Sequence, residues 1–133
     1  MDVVLLDTNI VSFIFKKDSR AKSFETHLKG KILGLTFMTV AELFQWAAIR
    51  NWSDYRIQKM EHELRKYLIF PFDINTCRLW GQIRANRRKM GQPISPQDAW
   101  IAATACQYDI PLITHNPVDF KSVKDLEIIT NVK

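Results

Sequence analysis

The chain alternates short apolar runs with longer amphipathic stretches. Val3-Val4-Leu5-Leu6 is wholly apolar and stops at Asp7, as a strand buried on both faces of a parallel sheet does. Asp7-Thr8-Asn9 then opens a helical stretch in which Ile10, Val11, Phe13, Ile14 and Phe15 are apolar almost all round, and a second short helix is expected over 22–28. Ile32 to Phe37 reads as the next strand and Thr39 to Arg50 as a helix, with Val40, Leu43, Phe44 and Ala47 on one face. Ser53 starts a charged helix whose inner stripe is Ile57, Met60, Leu64 and Leu68, and Ile69-Phe70 is a short strand before Pro71. Asn75 to Met90 is helical and stops at Gly91. Ser95-Pro96 starts a further helix, with Pro at its first position. Pro111 to Thr114 and Leu126 to Ile129 read as the last strands. Strands separated by helices require crossover connections, hence an α/β fold with a parallel sheet covered on both faces.

Composition narrows the class. The 133 residues are 47% hydrophobic and 25% charged, with no linker, repeat or low-complexity tract, so one globular unit over 1–133 is expected and disorder is excluded. No apolar run approaches the ~20 residues of a membrane helix. The start, MDVVLLDTNI, has no basic region and is not expected to be a signal peptide. Two distant cysteines, Cys77 and Cys106, form neither a disulfide framework nor a zinc motif, so a reducing cytoplasm is expected. A net charge of +5 favours a polyanionic partner such as nucleic acid.

Four acids carry the chemistry. Taken singly, each suits a helix start: Asp7 (or Thr8) as N-cap, Glu42 in a Thr39-Val-Ala-Glu42 capping box, Asp98 three residues after Ser95, and Asp119 three after Asn116. Taken together they suggest more. Helix starts that follow strands of a parallel sheet gather at its carboxyl edge, where ligands bind. Asp7, Glu42 and Asp119 follow strands, and Asp98 opens the helix leading into the strand that ends at Thr114. Four mutually repelling carboxylates in one cleft are explained by a hard divalent cation.

These segments resemble a known family. Leu5-Leu6-Asp7-Thr8-Asn9, Thr39-Val-Ala-Glu42-Leu43, Pro96-Gln-Asp98-Ala-Trp-Ile-Ala-Ala103 and Leu112-Ile-Thr114-His-Asn116-Pro-Val-Asp119-Phe120 are similar to the PIN-domain ribonucleases, most of all to VapC-type toxins. The resemblance runs the length of the chain. It implies a three-layer α/β/α sandwich with a mainly parallel central sheet, and a Mg²⁺- or Mn²⁺-dependent endoribonuclease leaving 5′-phosphate and 3′-hydroxyl ends. It also implies a cognate antitoxin and a homodimer. Asp7, Glu42, Asp98 and Asp119 match the catalytic quartet, with Asp7 and Asp98 as the metal pair and Glu42 and Asp119 as further metal candidates. Asn9, Thr114 and Asn116 match supporting polar positions. Competing readings are an RNA-processing nuclease of the same fold with no antitoxin, and a non-catalytic RNA-binding module.

Other candidates come from the residues themselves. Arg84, Arg87, Arg88 and Lys89 form a basic cluster at a helix end, either a solvated terminus or a rim that grips RNA phosphates. Phe13, Trp46 and Ile49 form an apolar surplus on two early helices, suited to an antitoxin groove. Trp100 is expected to pack, and His115 to be exposed.

Overall fold

The computed structural model describes residues 2–132. Five strands, β1 (Val3–Leu6), β2 (Ile32–Thr36), β3 (Leu68–Phe70), β4 (Leu112–Ile113) and β5 (Ile128–Ile129), form one sheet. Its order is β3-β2-β1-β4-β5, with every pairing parallel. The helices are α1 (Thr8–Phe15), α2 (Glu25–Leu28), α3 (Phe37–Ile49), α4 (Asp54–Leu64), α5 (Ile74–Lys89) and α6 (Pro96–Tyr108).

Strand alternation divides the core in two. Val4, Leu6, Leu35 and Ile113 point to one face, where Ile10, Val11, Leu43, Ala47, Met60 and Leu64 of α1, α3 and α4 cover them. Leu5 and Leu112 point to the other, under Ile83 of α5 and Ala99, Ile101, Ala102 and Ala105 of α6. The expected three layers are therefore present. Gly34 on β2 has a specific cause: a Cβ there would come within 2.6 Å of the Phe70 ring, which lies against that strand.

Several boundaries move for local reasons. β2 ends at Thr36, not Phe37, because the Thr36 hydroxyl accepts the Thr39 N–H at 3.1 Å and so caps α3. The expected capping box at Thr39–Glu42 is thus overturned: Thr39 is already helical. The helix expected over 22–28 is instead the end of a 3₁₀ segment (Ser19–Phe24) followed by the short α2. α5 starts at Ile74 under a capping box between Asp73 and Thr76. Leu68 leaves the α4 stripe for β3 and is largely exposed. β4 and β5 are each two residues long, shorter than their apolar runs. Gly91, at φ 70°, stops α5 as expected. No helix among the described residues is long and apolar enough to cross a membrane.

Candidate active site

Leu6 ends β1, and Asp7 turns the chain into α1 as its N-cap. Asp7 Oδ1 accepts the Thr8 N–H at 2.8 Å, and Oδ2 accepts the Thr114 hydroxyl from the end of β4 at 2.7 Å. Thr114 in turn accepts the Asn116 N–H at 3.0 Å. Adjacent strand ends thus hold one carboxylate, only 6% exposed. Burial pushes the Asp7 carboxyl up to about 6; the Thr114 and Thr8 bonds pull against this, and the Asp98 and Glu42 charges add to it.

Glu42 lies in the second turn of α3 and is half-buried. Its Oε1 accepts the Thr8 hydroxyl at 3.1 Å, and Thr8 lies 2.9 Å from the Thr39 hydroxyl. A hydroxyl has one proton to give, so with Thr8 donating to Glu42, Thr39 donates to Thr8. Glu42 therefore ends a short relay, and burial raises its carboxyl, with Asp98 adding to the effect. Asp98 is held at the start of α6, its N–H donating to Ser95 Oγ at 3.0 Å. Burial raises its carboxyl first and the Asp119 charge second, against the Ser95 bond and the Arg87 charge. Asp119 is exposed on a 3₁₀ turn (Pro117–Phe120) anchored by the fully buried Phe120.

All four acids line one cleft of about 260 Å³, with Asn9, Ser12, Phe13, Trp46 and Asn116 completing its walls. The convergence expected from the strand–helix pattern is present. Closure is not: among the described residues no three His, Cys, Asp or Glu side chains stand close enough to hold a metal ion. The donors are nevertheless all oxygen, as Mg²⁺ and Mn²⁺ require. Asn9 Oδ1, in the cleft wall, is buried without a hydrogen-bond partner. Asn116 contributes its backbone N–H to Thr114 and stays exposed.

The basic cluster splits. Arg88 and Lys89 are exposed and Arg84 half-buried; with Trp80 they line a separate hollow, and the Arg84 guanidinium sits 5.4 Å from the Trp80 ring centre. Arg87 corrects the surface reading. It is 6% exposed and points inward, Nε donating to Gln92 O at 2.6 Å and Nη1 to Asp119 O at 3.2 Å. It is no part of an RNA-gripping rim.

The apolar candidates split too. Phe13 and Trp46 border the acid cleft, with Arg20 over the Phe13 ring and Lys16 over Trp46. Ile49 lies at the far end of α3, 68% exposed and outside the cleft wall, so the three form no single groove. Trp100 packs as expected, stacked between Phe72 and Trp80. His115 is half-buried, edge-on to Phe13 and Phe24, rather than exposed. Sequence reasoning missed Thr8 and Thr39 as supports of Glu42; threonines just after strand ends, beside matched acids, were the available signal.

The PIN domain family profile matches residues 4–126. Ribonuclease VapC1 of Haemophilus influenzae (strain R2866) is 28% identical over 127 residues, spanning 94% of this chain and 95% of that protein. The solved VapBC-1 of nontypeable Haemophilus influenzae superposes with a TM-score of 0.79 at 28% identity, covering 96% of this chain and 97% of that one. VapBC2 from Rickettsia felis, solved bound to a DNA fragment from its promoter, reaches a TM-score of 0.83 at 23% identity over 96% and 98% of the two chains, a likeness of fold.

Proposed function

The chain belongs to the PIN-domain family, and from that premise we propose that it is a divalent-cation-dependent endoribonuclease, the toxin of a toxin–antitoxin pair. One observation carries the reading. Four carboxylates from separate stretches of chain line one cleft at the carboxyl edge of a parallel sheet, around a buried Asp7 pushed up to about 6. Helix starts account for Asp7 and Asp98 one at a time, but not for four mutually repelling carboxylates lining one cleft; a cation would.

Asp7 and Asp98 would hold Mg²⁺ or Mn²⁺, with Glu42 and Asp119 beside them; a hard cation of this kind needs only one or two carboxylates from the protein. A bound cation supplies Lewis acidity toward a phosphoryl oxygen and lowers the pKa of bound water. The chain's own groups do the positioning. Thr114 and the Thr8 N–H fix the two oxygens of Asp7, and the Thr39–Thr8 relay fixes Glu42. The starts of α1 and α6 favour the ionised forms of Asp7 and Asp98. Arg84, Arg88 and Lys89 are candidates for steering the RNA backbone toward the cleft.

The ribonuclease VapC relatives and the VapBC complexes support an antitoxin partner. Phe13 and Trp46, at the cleft's edge, offer its tail an apolar wall, and a basic side chain from that tail would compete with the cation for the acids. A homodimer in the cytoplasm completes the reading. The test is RNA cleavage by the purified chain with Mg²⁺, with EDTA, and as Asp98→Asn. Cleavage only by the unaltered chain with Mg²⁺ is expected; equal cleavage with EDTA would overturn the metal dependence.

A further inference from the structure

Arg87 presents a problem in charge balance. Its guanidinium is buried, yet none of the ion pairs among the described residues includes it. Burying a cation is costly unless it is hydrogen-bonded and its charge compensated. The hydrogen bonds come from two segments far apart in sequence. On one side Arg87 locks the end of its own helix: its carbonyl accepts the Gln92 N–H at 2.9 Å, while Nε donates back to the Gln92 carbonyl. On the other, Nη1 reaches the backbone carbonyl of Asp119. Its charge also acts on the cleft, holding the Asp98 carboxyl down against the larger effects of burial and the Asp119 charge.

We propose that Arg87 is a positioning residue for the acid cleft: its fork ties the Asp119 turn to the Gly91–Gln92 end of α5 and so sets where the Asp119 carboxylate stands relative to Asp98. The proposal rests on reading the four acids as a catalytic cation site. Asp119 needs such a brace. It lies on a single 3₁₀ turn whose N-cap residue, Asn116, makes no side-chain capping bond, whereas Asp7, Glu42 and Asp98 are set by strand ends or longer helices. A guanidinium can serve both carbonyls because its donors are splayed in one rigid plane; an ammonium is a compact point and cannot span them.

The charge-preserving variant Arg87→Lys tests this, alone and combined with Asp119→Asn, using RNA cleavage kinetics and calorimetric Mn²⁺ titration, with circular dichroism as the check on folding. Arg87→Lys is expected to fold, to lower kcat by about 10- to 100-fold with KM within roughly twofold, and to weaken Mn²⁺ binding by a similar factor. Because Arg87 acts through Asp119, the double variant should lose little beyond Asp119→Asn alone. Multiplying losses in the double variant would overturn the proposal, as would unchanged kcat and Mn²⁺ affinity in Arg87→Lys. A raised KM with altered salt dependence and normal kcat would show instead that Arg87 contacts RNA. If Arg87→Lys does not fold, Arg87→Gln, which keeps two donors on a shorter stem, carries the same readouts. Asp7→Asn separates the two claims: an inactive Asp7→Asn beside a normal Arg87→Lys refutes only the positioning role, while an active Asp7→Asn refutes the catalytic cleft.

Discussion

The floor and the rim of the cleft are built differently. Asp7, on the floor, is buried at the junction of β1 and α1, and each of its oxygens accepts a bond, one from Thr8 and one from the neighbouring strand end. Asp119, on the rim, is exposed on a short turn held from below by Phe120 and from behind by Arg87. The sheet fixes the first with regular structure, while the second is held by one buried ring and one long side chain from α5. Position is therefore set on the floor by the ends of two strands and on the rim by the packing of Phe120 and the Arg87 hydrogen bond.

The largest effect expected from this contrast is on catalysis. Asp7→Asn removes a charge without changing shape and should abolish RNA cleavage, a loss on the order of 10³-fold or more when several kcal/mol of charge stabilisation are forfeited. Asp119→Asn should cost roughly 10- to 100-fold, the range for a group that supports rather than forms the main site. Single-turnover cleavage measures both, and equal losses would erase the distinction between floor and rim.

Stability gives a smaller effect of the opposite sign. The folded chain holds the Asp7 proton more tightly than the unfolded chain, because burial raises its carboxyl from 3.8 to about 6. Its contribution to stability is therefore full below pH 3.8 and is lost as pH rises through about 6. Without a cation, Asp7→Asn should be more stable than the parent above this window, by ~1–2 kcal/mol after the cost of replacing one accepting oxygen by an amide donor is subtracted. Below the window the advantage should vanish. Denaturant melts across pH measure this; a variant less stable at every pH would mean that Asp7 serves mainly as a cap.

The smallest effect concerns the surface. Arg84→Gln and Arg88→Gln should each flatten the salt dependence of RNA binding by about 0.7 in log–log slope if they meet phosphates. Filter binding at several salt concentrations measures it, and an unchanged slope would leave these residues as a solvated helix end.

The acids of both floor and rim were legible in the sequence, whereas what holds the rim acid in place was not. A wholly apolar run ending at Asp7 marks a buried strand and its helix cap, and Ser95-Pro96 marks the start of α6. Both are local signals, so Asp7 and Asp98 could be placed on sight. Thr36, not Thr39, caps α3 because strand and helix abut with no loop between them, and periodicity cannot say which of two threonines makes the bond. Arg87 was misread for a deeper reason. Three basic residues in a row, Arg87, Arg88 and Lys89, look alike in sequence, and only the packing of α5 against α6 and the Asp119 turn buries the first of them. Ile49 failed likewise: apolar residues off a helix's inner stripe do not reveal which end of the helix borders a cleft.

The central claim is that the cleft binds a divalent cation through Asp7 in its ionised form. Calorimetric titration of the cation-free chain with Mn²⁺ on both sides of the Asp7 titration, at ~pH 7.5 and ~pH 5, tests it most directly. Binding should be measurable at the higher pH, at least several-fold weaker at the lower pH, where most Asp7 is protonated, and absent from Asp7→Asn at both. Mn²⁺ binding of equal strength in Asp7→Asn and the unaltered chain would contradict the account.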